Sequence, residues 1–459
     1  AAMASRGRRR ARVWVALAAA AGRPGADGTY WSRWSEVTTA TDSAVAAIMP
    51  DGSVVAWGDP NRGGDVSLVA GSLKSGVRSL IRTPGALAAL KEGGEVVAWG
   101  NPAMGGSMGG LEKVLASGVD KVFSGSFGFA ALKGGRLYTW GDPRFGGDAS
   151  AIAEKVQSGV VEVVENCCAG AAIKEDGSVA TWGHADMGGD SSAVAKELQS
   201  GVKRIWTCCC AFAALKEDGS VISWGRDVDS GKVDAELRSG VVDVYSSTAS
   251  FAALKSDGSV FSWGDNHHGG DSSKVAHLLR SGVARIWSNL DAFAALKEDG
   301  SLVTWGTGHG GGDHSAVEQD LRQGAKIREV VGDSWQFGAL REDGSVVTWG
   351  KPTDGGDSSA VKDGLQSGVT QLAANHFAMA ALREDGSVVT WGKPVQGGDS
   401  SGVAHELSSG VVNISKLTDQ AFVALKEDGS VVTWGAAHKG GDSRPVAEAL
   451  LRAVRQEEL

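Results

Sequence analysis

Residues 214–225 read ALKEDGSVISWG, and a near copy of this stretch recurs ten times along the 459-residue chain. Lys216, Glu217, Asp218 and Ser220 have the look of an active-site set, but tenfold repetition marks them as scaffold. The Trp-Gly pair that ends each copy places Trp57, Trp99, Trp140, Trp182, Trp224, Trp263, Trp305, Trp349, Trp391 and Trp434. Successive gaps are 42, 41, 42, 42, 39, 42, 44, 42 and 43 residues, so one repeating unit fills the chain from about residue 34 to about residue 453. These ten tryptophans are expected to be the structural anchors, each burying about 150–250 Å².

Working outward, residues 190–225 make one whole unit, DSSAVAKELQSGVKRIWTCCCAFAALKEDGSVISWG. The front is expected to be a short helix capped by Asp190 or Ser191, with Val194 and Leu198 on one face and Gly201 at its left-handed end. Three strands follow, near 202–206, 211–216 and 220–224. Asp218-Gly219 between the last two has the form of a type I′ hairpin turn. Eight repeats keep Asp-Gly there, and the others carry Gly93-Gly94 and Gly134-Gly135. AFAAL and SVISW are apolar on both faces, as small sheets covered on each side by the next sheet require. The fold class is therefore mainly β: tandem repeats of three short antiparallel strands plus one short helix, stacked like propeller blades. Closed ring and open spiral both remain open, because both termini fall at repeat boundaries.

The order Val202, Ile205, Ala214-Leu215, Asp218-Gly219, Val221, Trp224-Gly225 resembles the repeat of the regulator of chromosome condensation family. The likeness runs through about 90% of the chain and implies a β-propeller of compact blades. This chain departs from the family pattern by having ten repeats where seven are usual. It also lacks a His before Ala-Leu and has Gly-Gly-Asp in the following turn. The resemblance implies a non-enzymatic scaffold that presents loops to a protein partner. It equally admits a module or fragment of a HECT-type ubiquitin ligase, a small-GTPase exchange factor, or a secreted binding or inhibitory protein.

Composition narrows the classes. Net charge is −9, and residues 1–12 hold five arginines, which leaves the rest of the chain at −14. So acidic a body is ill suited to phosphate backbones, and no nucleic-acid partner is expected of it. No apolar run is long enough for a transmembrane segment. Residues 1–33 form an N-terminal tail. Residues 6–21 within it have the arginine-then-apolar layout of a targeting segment, and a plain alanine-rich tail is the alternative. Localisation is thus cytoplasmic or nuclear, or secreted or organellar if that segment is a leader. Asn413-Ile414-Ser415 is a glycosylation sequence. Residues 34–459 read as a single repeat domain of ten units of about 42 residues, with a C-terminal capping helix at 446–458 and a monomeric state.

The variable positions are better candidates for function than the constant ones. Nine tetrads follow Trp-Gly: DPNR, NPAM, DPRF, HADM, DNHH, TGHG, KPTD, KPVQ and AAHK; the fifth repeat breaks the frame with RDVDSGKVDAEL. A constant frame with diverse tips is how binding surfaces are built. The candidate partner-binding residues are Arg144, His184, Asp186, Asn266, His267, His268, His309, Lys351, Lys393 and His438. His267, His268 and His309 lack the spacing of a metal site, and no metal or cofactor is expected. Cys167-Cys168 and Cys208-Cys209-Cys210 occupy equivalent positions 42 residues apart and are expected to be packing residues, with pairing or soft-metal binding as the alternative. No phosphate loop or Cys/His nucleophile pattern occurs, and no catalytic residue is assigned.

Overall fold

A computed structural model describes residues 38–450 apart from residues 229, 230 and 232. The arginine-rich tail lies outside the described residues, as does most of the expected capping helix. The described chain forms ten three-stranded antiparallel sheets, each in sequence order. We number these blades 1 to 10 by their Trp-Gly pairs.

Blade 5 shows how the sequence makes a blade. Its strands are Val202–Thr207, Ala211–Lys216 and Val221–Gly225. The middle strand pairs Phe212 with Trp224 and Leu215 with Val221, and Phe212 stacks on Trp224 with ring centroids 5.2 Å apart. Ala211, Phe212, Ala213 and Ala214 are wholly buried, because both faces of the strand meet a neighbouring blade. One apolar cluster joins Ala169, Ala171 and Ile173 of blade 4 to Leu198, Ile205, Phe212 and Trp224 of blade 5. The core is thus a succession of layers between blades.

The first strands of successive blades adjoin one another, whereas the third strands do not, which puts the first strands on the inside. Blade 10 packs on blade 1. Val45, Ala47, Met49 and Trp57 share a buried cluster with Leu417, Ala421, Val423 and Leu450. Lys439 Nζ also reaches Ser43 Oγ at 2.6 Å. The blades therefore close on themselves, ten in number, beyond the usual four to eight. Leu450 and half-buried Val446 pack into this junction.

One bond repeats around the circle. Each Trp indole N–H donates to the carbonyl of the first glycine after the preceding blade's tetrad, as from Trp224 to Gly188 at 3.0 Å. Eight such bonds join neighbours in sequence, and Trp57 to Gly440 at 3.2 Å completes the set across the termini. Trp263 is the exception: among the described residues its buried indole nitrogen has no partner. The frame-breaking segment after Trp224 lacks the Gly-Gly turn that would supply one.

Two local expectations are corrected. The Asp-Gly hairpin is not type I′, since Gly219 has φ +78° but Asp218 is not left-handed. Asp218 instead accepts the Ser220 N–H at 2.9 Å and the Ser220 hydroxyl at 2.6 Å. Gly219 N–H bonds Lys216 O, and Lys216 N–H bonds Ser220 O, closing a three-residue loop. Among the described turns between second and third strands, only that of Gly134 and Gly135 has two residues of positive φ, with Lys133 paired directly to Arg136. That two-residue turn accounts for the gap of 41 before Trp140. The expected helix is likewise two 3-10 turns, Ser192–Val194 and Glu197–Gln199. Asp190, not Ser191, caps it, accepting the Ser192 N–H at 2.8 Å. The corresponding segment before Trp349, with the same spacing from Asp313 to Gly324, does form a short α-helix at Glu318–Arg322.

Candidate interaction face

Strand direction gives the ring two unlike faces. The Asp-Gly turns lie on one. The other carries the tetrads after Trp-Gly and, inside them, the loops joining first to second strands. On the turn face the charges of the repeated stretch serve the scaffold: Lys216 Nζ caps the Glu197 carbonyl at 2.7 Å. The Ser220 hydrogen bonds hold the Asp218 carboxyl below its ordinary value.

The loop face is built on a fixed frame. Each tetrad is a single 3-10 turn closed by a left-handed glycine, such as Ala185–Met187 with Gly188 at φ +95°. A Cβ on Gly188 would lie 2.6 Å from the Phe212 ring, and one on Gly189 would lie 2.4 Å from Gly183 O, so the pair must be glycine. The inner loop is tied to this turn by its first residue. Asn166 Oδ1 accepts the N–H groups of Cys168 and Ala169, and its amide donates to Met187 O at 2.8 Å. Thr83, Ser247, Asn289, Asn375 and Thr418 make the same link. Backbone bonds also run from blade to blade, as from Cys209 N–H to Thr248 O and from His376 N–H to Asp419 O.

On this frame sit side chains that differ in every blade. Arg144, His184, Asp186, Asn266, His267, His309 and His438 are exposed, and His268, Lys351 and Lys393 are half-buried. Arg144 pairs with Asp142 at 2.6 Å and lies over Phe145, which meets Phe127. His268 lies between Asp265 at 3.1 Å and Asp291 at 3.5 Å. Among the described residues His267, His268 and His309 do not form a ligand trio.

Lys351 and Lys393 come together on the buried Asp354 at 2.9 and 3.1 Å. Their ammonium groups stand over Trp335 and Phe377, 4.2 and 4.4 Å from the ring centroids. Burial opposes ionisation of Asp354, but the two lysines outweigh it and hold the carboxyl below its ordinary value. Trp335 Nε1 in turn donates to Asp291 Oδ2 at 2.7 Å.

The inner loops of blades 8, 9 and 10 converge on a charge cluster that sequence reading missed. His376 Nδ1 lies 2.9 Å from Asp333 and 3.3 Å from Asp419. Lys416 Nζ lies 2.8 Å from Asp333 and 2.9 Å from Asp419. Burial resists the charges, yet Asp333 is lowered through His376 and Lys416, and Lys416 is raised by its two carboxylates. Beside them Asp42 is raised by burial and by Asp419. The available signal was variability: the inner loops read TDS, TPG, GSF, NCC, CCC, STA and NLD before DSW and NHF.

The cysteines divide. Cys168 and Cys208 are buried as expected, but Cys167, Cys209 and Cys210 reach the loop face and are only partly buried. Asn413 stands on the first strand of blade 10, inside the ring, with its Oδ1 buried, a poor position for a glycan. Gly105-Gly106-Ser107-Met108-Gly109 has the spacing of a nucleophile elbow. It follows the 3-10 turn Pro102–Met104 rather than a strand, so it lacks the strand-to-helix setting of that motif.

No protein-family model matches the chain, and neither does any curated protein. Solved structures give distant likenesses. Prp20p from Saccharomyces cerevisiae is 13% identical over 94% of this chain and 98% of that one, with a TM-score of 0.36. The ectodomain of the receptor kinase CR4 from Physcomitrella patens is 15% identical over 59% and 72%, with a TM-score of 0.33. Human WBSCR16 is 16% identical over 66% and 86%, with a TM-score of 0.31. Likenesses at this level decide nothing about the activity of this chain.

Proposed function

We propose that the ring is a non-enzymatic interaction scaffold that binds a protein partner through its loop face. The observation that carries this reading is the confinement of diversity to one face: tetrads and inner loops vary together there, on a frame of glycine turns kept in nine of the ten blades. Constant frames with variable tips are the usual construction of recognition surfaces. Within that face, blades 7 to 10 offer the composition of a binding centre. Trp335 and Phe377 supply aromatic area, while Lys351, Lys393 and the Asp333–His376–Lys416–Asp419 cluster supply fixed charge. Aromatic anchors ringed by ordered polar groups dominate the energetics of protein interfaces.

The test is affinity capture from cells with quantitative mass spectrometry, comparing three chains: the wild type, Trp335→Ala/Phe377→Ala, and the turn-face variant Glu217→Lys/Glu298→Lys. The same partner should be retained by the turn-face variant and lost by the aromatic variant. Loss from the turn-face variant alone would refute the assignment.

A further inference from the structure

We propose that Cys167, Cys209 and Cys210, between the inner loops of blades 4 and 5, form a three-thiolate site for a soft monovalent d10 cation, of which Cu(I) is the biological example. The three Sγ atoms all lie within 4.8 Å of one another, and among the described residues no other His, Cys, Asp or Glu trio does so. Cys167 Sγ is 3.4 Å from Cys209 Sγ. An ion about 2.3 Å from each of three sulfurs in a plane needs them about 4 Å apart, so small rotations of side chains suffice.

The loops are already held for this purpose. Asn166 fixes the backbone around Cys168, and Cys209 is bonded through its N–H to Thr248 O. The trio is partly exposed, which gives an ion a path in, whereas Cys168 and Cys208 are buried. Thiolate ligands select soft ions, and a closed structural zinc site requires four ligands, so three sulfurs alone suit three-coordinate Cu(I) better. Binding replaces three S–H bonds by three metal–sulfur bonds and releases three protons to solvent, with no change of oxidation state.

The experiment titrates the reduced full chain with Cu(I) under anaerobic conditions against a chromogenic Cu(I) chelator. The expected result is one tight equivalent, with affinity falling at least about 100-fold in Cys167→Ser and in Cys209→Ser. That exceeds the 10–100-fold typical of altering a group behind a ligand. Cys208→Ala, a buried thiol outside the trio, should keep the wild-type affinity, and parallel thermal melts confirm that each variant is folded. Three results would overturn the proposal: equal affinity in the Cys209→Ser variant, equal losses in Cys208→Ala and Cys209→Ser, or a Cys167–Cys209 disulfide in a chain that takes up no Cu(I) once reduced.

Discussion

The two faces of the ring are made by the same thirty strands, yet they carry opposite kinds of information. On the turn face, eight blades repeat the Asp-Gly-Ser loop, seven of them with both the serine N–H and the serine hydroxyl bonded to the Asp carboxylate and the first, Asp51, with the N–H alone. On the loop face, only the first tie residue and the paired glycines recur, and everything else changes. The framework residues pin backbone at both ends, so side chains on the loop face can vary without moving the blades. That division teaches where substitutions should cost stability and where they should cost binding.

The largest effect belongs to the framework. Trp305→Ala should destabilise by about 3–5 kcal/mol in denaturant unfolding, since it empties a fully packed site between blades. A cost near zero would mean that the blades do not pack on one another. Gly188→Ala should follow at about 1–3 kcal/mol, because φ is +95° and the added carbon meets the Phe212 ring. A smaller difference separates two equivalent tryptophans. Trp305→Phe removes an indole bond to Gly269, while Trp263→Phe removes none. The first should cost about 1 kcal/mol more than the second; equal costs would deny the inter-blade bond its role.

Acid probes the turn loops directly. In the eight Asp-Gly turns, serine hydrogen bonds hold the carboxyls below their ordinary value. A lowered folded-state value gives stability that is complete above the unfolded carboxyl value, about 3.9, and is lost as pH falls through the folded one. The melting temperature should therefore fall on going from pH 5 to pH 2.5. Replacing several of these aspartates by asparagine should flatten the fall, and an unchanged profile would contradict the turn bonds. Loop-face substitutions come last. Trp335→Ala/Phe377→Ala touches half-buried side chains, and its cost should be about 1 kcal/mol or less, far below the framework substitutions.

Much of the framework was legible in the sequence. The Trp-Gly period gave the number of units, and the doubly apolar AFAAL strand gave blades covered on both sides. The turn type was misread because Asp-Gly permits two loops, and the Asp218–Ser220 bonds select the longer one. The helix was overcalled because Val194 and Leu198 fit one helical face, and the chain meets that spacing with two 3-10 turns, Ser192–Val194 and Glu197–Gln199. Closure could not be read, because it rests on Trp57 meeting Gly440 and Lys439 meeting Ser43, contacts between opposite ends of the chain. The exposed tetrad residues were found from variability. Asp333, His376, Lys416 and Asp419 were missed because they lie on separate inner loops with no common motif, and only the ring brings them together.

Hydrogen–deuterium exchange of the full chain with and without its captured partner reads both faces at once. Protection should appear in the inner loops and tetrads of blades 7 to 10, around residues 289–291, 333–335, 351–354, 375–377 and 416–420. The Asp-Gly turns should exchange unchanged. Protection of the turns around residues 299–301, 343–345 and 385–387, with the loops unaffected, would contradict the assignment of binding to the loop face.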